Sequence, residues 1–104
     1  MLQLLLALAD GDKHGYAILK EVSRRSGGVI TLRTGTLYTA LRRFVDDGLV
    51  AETEERPDPA LDDERRRYYR LTDRGRAVAL AETERLEEMV RQARAKLSLR
   101  KSRA

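Results

Sequence analysis

The sequence has no cysteine, no tryptophan and a single histidine. Without cysteine there is no disulfide framework and no thiolate to serve as nucleophile or metal ligand. The lone histidine, His14, has Asp10 and Asp12 beside it. A metal site needs three or four converging ligands, and nothing supplies the rest, so His14 is expected in a turn or cap, and no cofactor is expected. One glycine before a helix, as at Gly35, is too common to mark a phosphate cradle. With no nucleophile–base pair to propose, the chain is not expected to be an enzyme. Long apolar runs are missing too. The longest, Leu4 to Ala9, falls far short of the ~20 residues that span a bilayer. The start also lacks the basic segment of a secretory signal. No membrane partner is expected, and the expected location is cytoplasmic.

What is present is charge. Charged residues make up 37% of the 104 and hydrophobic residues 41%, with a net charge of +4. That balance is too polar for a membrane protein and too apolar for a disordered one. Its distribution is informative. Between Val29 and Val45 the only charges are Arg33, Arg42 and Arg43. From Asp46 to Glu64 nine acids accompany one arginine; from Arg65 to Arg76 six arginines accompany one aspartate. Any binding to a polyanion must therefore use a patch and not the average charge.

Leu2 to Ala9 is apolar on nearly every face, so a helix there needs cover on more than one side. A second helix is predicted from His14 to Arg25, stopped by Gly27-Gly28. The β-branched stretch Val29-Ile30-Thr31-Leu32 predicts a short strand. Thr34 is the expected N-cap of a third helix reaching Asp47. In it Leu37, Ala40, Leu41, Phe44 and Val45 fall at i, i+3, i+4, i+7 and i+8, a full amphipathic match, and Gly48 follows as a stop. Leu49 to Glu54 and Arg65 to Leu71 alternate as two strands of a hairpin. Between them, two prolines and a run of acids preclude regular structure. Thr72 caps a long last helix, expected to end near Ser98 and to leave a disordered basic tail from Arg100. The fold class that results is mainly α with a small β-hairpin. Helices followed by a hairpin follow the winged helix-turn-helix plan, here with a long C-terminal dimerisation helix. The expected division is a winged domain over residues 1–71 and a helix and tail over 72–104.

HGYAI at 14–18, GTLYTALRRF at 35–44, DGLV at 47–50 and YYRLTDRGR at 68–76 together resemble the PadR-type transcriptional regulators, over roughly Leu4 to Arg76. The short C-terminal part is similar to the subfamily with one dimerisation helix. The resemblance implies a homodimer on a palindromic operator, usually repressing. Two departures stand out. The wing loop is acidic, with Asp58, Asp62, Asp63 and Glu64, where a tip touching DNA should be neutral or basic. The last helix has no aromatic ring, so the clamping of flat drugs seen in some relatives does not carry over.

On the third helix the apolar set defines an inward direction, and Thr39, Arg42 and Arg43 point away from it. Arginine can bond guanine bidentately and threonine can meet a thymine methyl or a phosphate. Thr34, Thr36 and Tyr38 complete the expected DNA-binding face, Tyr38 as either core packing or a phosphate contact. On the hairpin, Arg66 and Arg70 alternate away from Tyr69 and Leu71. They either hold phosphates or pair with the acids of the loop. Double-stranded DNA is thus the expected partner. The alternative, a winged-helix adaptor for proteins, would show apolar residues on this face. On the last helix Ala79, Thr83, Leu86, Val90, Ala93 and Leu97 step by 4, 3, 4, 3, 4, a heptad seam. With Leu4, Leu5 and Leu8 of the first helix they form the expected dimer interface. An effector, if one acts there, is expected to be small or flexible and apolar.

Overall fold

The first helix is drawn inward on one side by Leu4, Leu5, Ala7 and Leu8, whose apolar side chains leave water together. In the computed structural model, which describes residues 2–53 and 67–103, these four side chains are at most 4% exposed. They belong to α1 (Leu2–Ala7) and the turn after it. The remaining elements are β1 (Lys13–His14), α2 (Gly15–Arg25), α3 (Thr34–Asp46), β2 (Val50–Thr53), β3 (Tyr68–Leu71) and α4 (Asp73–Arg103).

One core serves all of them. Leu4 from α1, Ile18 and Val22 from α2, and Leu37 and Leu41 from α3 are the largest side chains fully withdrawn from solvent. Each contributes about 2 kcal/mol of transfer free energy. Ala40, Phe44 and Val45 pack against the same cluster while partly exposed, so the amphipathic reading of α3 holds position by position. Val50 and Tyr69 bring in the hairpin and Ala79 brings in α4.

The helix ends are chemically defined. His14 accepts the Ala17 amide on Nδ1 at 3.2 Å and caps α2. At its other end the Gly28 amide reaches back to the Ser23 carbonyl and the Gly27 amide to the Arg24 carbonyl, the paired closure of a Schellman stop. α3 ends the same way, with Gly48 at φ +77° and the Leu49 amide on the Phe44 carbonyl at 2.9 Å. Thr72 caps α4 through its hydroxyl, which accepts the Gly75 amide at 2.9 Å.

Four expectations need correction. Val29 to Leu32 is not a strand. Ile30 and Leu32 pack on the core while Val29 is 86% exposed, and among the described residues no neighbouring strand meets this segment. The place beside β3 is taken by β1, pairing Lys13 with Tyr69 and His14 with Tyr68, so the sheet order is β1-β3-β2. Thr34 is not a cap: Arg33 holds that position, without a side-chain bond to the helix. Leu4, Leu5 and Leu8 are not available to a second copy, because α2, α3 and α4 of their own chain already cover them. Finally, α4 runs to Arg103, past the expected end at Ser98. Nothing after Ser98 breaks a helix, and basic residues favour its C-terminal end. The arrangement is a winged helix-turn-helix with a long C-terminal helix, and its principal extents are 62 × 28 × 21 Å.

Candidate nucleic-acid interface

Burying Leu37 and Leu41 turns the opposite side of α3 to solvent. Thr34, Thr36, Thr39, Arg42 and Arg43 are all exposed there. Their chemistry is hydroxyl and guanidinium, with no carboxylate until Asp46. Thr39 donates its hydroxyl to the Gly35 carbonyl at 2.9 Å. Arg33, Thr36, Thr39 and Arg43 line an open groove of about 830 Å³ along this face, with Ala40 and Phe44 at its floor. Since no side chain caps α3, its first-turn amides stay available to an anion at the positive end of the helix.

Tyr38 is packed on one side and open to solvent on the other. Its ring lies against α2, where a Cβ on Gly15 would stand 2.5 Å from the hydroxyl and 2.9 Å from Cζ. Yet 39% of the residue remains exposed. A side chain at position 15 would displace the Tyr38 ring from this place, so the glycine lets the ring pack closely on α2. Position 15 carries no charge and no hydrophobic signal, and sequence reasoning missed it.

Between α3 and the hairpin lies a smaller pocket of about 470 Å³. Arg42, Tyr38 and Asp46 face Glu52, Arg67 and Tyr69 across it. Burial pushes the Tyr69 hydroxyl above its ordinary pKa, with Glu52 and Tyr38 adding to the shift and Arg67 and Arg42 opposing it. Arg67 meets Glu52 at 3.1 Å.

Arg70 has a partner from outside the hairpin. It grips Asp12, with Nε 3.2 Å and Nη2 3.1 Å from Oδ2. The partner comes from the turn after α1 because β1 lies beside β3. Both side chains keep solvent contact, 49% and 27% exposed, and such a pair contributes only ~0–1 kcal/mol. Arg66 and the acids Asp58, Asp62, Asp63 and Glu64 lie outside the described residues.

The expected dimer residues divide. Leu4, Leu5, Leu8 and Ala79 are in the chain's own core. Thr83 and Leu86 are half-buried, while Val90, Ala93 and Leu97 are exposed. Leu2 and Leu6 of α1 join Thr83, Leu86 and Val90 in lining an apolar groove of about 680 Å³, rimmed by Glu87, Arg91 and Arg94. Among the described residues no group of three His, Asp or Glu side chains converges to hold a metal, and no helix is long and apolar enough to cross a membrane.

Comparison with known proteins agrees with this geometry. The model of the transcriptional regulator PadR-like family matches residues 4–81. A curated relative, an uncharacterized protein of Lysinibacillus sphaericus, is 28% identical over 74 residues, covering 71% of this chain. The chain spans 65% of that relative's length. Among solved structures, a transcriptional regulator from Clostridium thermocellum superposes with a TM-score of 0.75 at 24% identity, covering 90% of this chain and 85% of its own. Bacillus subtilis PadR in complex with operator DNA superposes with a TM-score of 0.66 at 20% identity, covering 79% of this chain and 45% of that one. At these identities the two structures show the shared fold.

Proposed function

The chain belongs to the PadR-like family of transcriptional regulators, and on that premise we propose that it is a sequence-specific repressor binding a palindromic operator as a homodimer. The observation that carries the reading is the exposed face of α3. It buries Leu37 and Leu41 completely and offers Thr36, Thr39, Arg42 and Arg43 outward from an end without a side-chain cap. A helix of this kind enters the major groove by its N-terminal part, and Asp46 and Asp47 at the other end repel phosphates. Arg42 reads a base, and Arg43, Thr34 and Thr36 hold the backbone. Arg66 and Arg70 add phosphate contacts, Arg70 after yielding its weak pairing with Asp12. That Bacillus subtilis PadR was solved on operator DNA supports the same use of the fold here.

A homodimer covers what α4 leaves open. Val90 and Leu97 are 50% and 68% exposed, and the groove between α1 and α4 is apolar. The division of labour then falls at residue 71, with DNA contact before it and dimerisation after it, although Ala79 packs in the core of the first part. An effector, if the protein has one, enters this interface and is small and apolar. The test begins with selection of binding sites from random duplexes, followed by gel shifts with Arg42→Ala and with the Arg42→Ala, Arg43→Ala pair. Loss of preference at one base position for the single variant is expected, with a cost of ~1–3 kcal/mol. Unchanged affinity in the double variant would remove α3 from the interface.

A further inference from the structure

Two turns of the chain touch where α3 ends and α4 begins. The Thr72 hydroxyl donates to the Gly48 carbonyl at 2.7 Å. The Thr72 amide donates to the Leu49 carbonyl at 3.1 Å. The same hydroxyl accepts the Gly75 amide at 2.9 Å. A steric contact closes the set: a Cβ on Gly75 would lie 2.0 Å from the Leu49 carbonyl oxygen and 2.7 Å from Leu71 Cδ1. That oxygen is already bonded to Thr72, so it cannot step aside alone. Leu49 is in turn tied to α3 through its amide on Phe44. Phe44, Leu49, Thr72 and Gly75 thus connect the two helices with nothing more compliant than a hydroxyl group. One residue, Thr72, separates β3 from α4, which leaves no slack in the connection.

We propose that Thr72 and Gly75 are positioning residues that set the angle between α3 and α4, and with it the half-site spacing the dimer accepts. The inference rests on the reading above, in which α3 contacts DNA and α4 joins two copies. Neither residue belongs to the exposed face of α3. Their effect is geometric: α4 has 31 residues, roughly 46 Å at 1.5 Å per residue, so a tilt of about 10° at its start displaces its far end by roughly 8 Å. One base pair is about 3.4 Å of duplex. A Cβ at position 75 is therefore large enough, on this lever, to change which spacing fits.

The test uses full-length protein and duplexes carrying the selected half-sites at separations from two base pairs shorter to two longer, together with a single half-site duplex. Wild type is expected to prefer one spacing. Gly75→Ala is expected to move that optimum by at least one base pair and to weaken binding at the original spacing at least tenfold, with half-site affinity and dimer sedimentation unchanged. Thr72→Val removes both hydroxyl bonds at constant volume and is expected to broaden the optimum, and Thr72→Ser to restore it. Should Gly75→Ala fail to fold, the Thr72 pair decides alone. Variants that keep the wild-type optimum, with equal loss at every spacing and on the half-site, overturn the inference. A wild-type protein indifferent to spacing overturns the dimeric reading beneath it, and this inference with it.

Discussion

The two halves of α4 carry one apolar stripe but meet different surroundings. In the near half Ala79 is 7% exposed, wedged into the core that α1, α2 and α3 share. In the far half Met89, Val90 and Leu97 are 55%, 50% and 68% exposed, and every residue from 91 to 98 faces solvent. The heptad steps continue from one half into the other, yet only the near half is covered by the rest of the chain. Periodicity states that a stripe is covered. It does not state by what, and only the reach of the rest of the chain decides that.

The strongest way to break this comparison is to charge the far half. Leu86→Asp with Val90→Asp puts carboxylates in the seam, and we expect operator affinity to fall at least a hundredfold with loss of the dimer in sedimentation. A variant that still sediments as a dimer would show that the far half is not the interface. The near half should respond as a core. Ala79→Leu overfills it and is expected to cost ~1–3 kcal/mol in thermal or denaturant unfolding. The matching change in the far half, Ala93→Leu, is expected to leave unfolding of dilute protein within ~0.5 kcal/mol of wild type. Equal costs would erase the distinction between the halves. A finer probe lies on the hairpin. Asp12→Ala removes the carboxylate that Arg70 grips and is expected to raise affinity for any duplex, steepening log K against log salt by less than one charge. Arg70→Ala should flatten that slope by less, because in the free protein the charge is already partly neutralised. The smallest effect is expected from Glu52→Gln, which frees Arg67 at the edge of the α3–hairpin pocket, a change of ~0–1 kcal/mol visible only by titration at low salt.

Local chemistry made much of this fold readable beforehand. The α3 stripe, the Gly48 stop and the Thr72 cap each depend on residues within one or two turns, and the exposed positions of α3 follow from the same wheel. What escaped depends on distance. β1 is two residues long, too short to show a period, and its partner Tyr69 lies across the whole helix-turn-helix. The β-branched run from Val29 to Leu32 predicted a strand because composition alone cannot report whether an edge is free. Arg70 finds Asp12 58 positions away, a separation at which no local pattern relates two residues. Gly15 and Gly75 matter for the side chain they lack, and a missing atom leaves no mark in hydropathy or charge.

The cap on α2 has a consequence in a different language, that of proton tautomers. Because Nδ1 of His14 accepts the Ala17 amide, the neutral ring that makes this bond carries its proton on Nε2. A proton added to Nδ1 would set a donor against a donor and place positive charge at the positive end of the helix. The sequence contains no other imidazole. Its two ring nitrogens are therefore a built-in spectroscopic pair, and in nitrogen-15-enriched protein their chemical shifts should report whether the cap bond to the Ala17 amide is made.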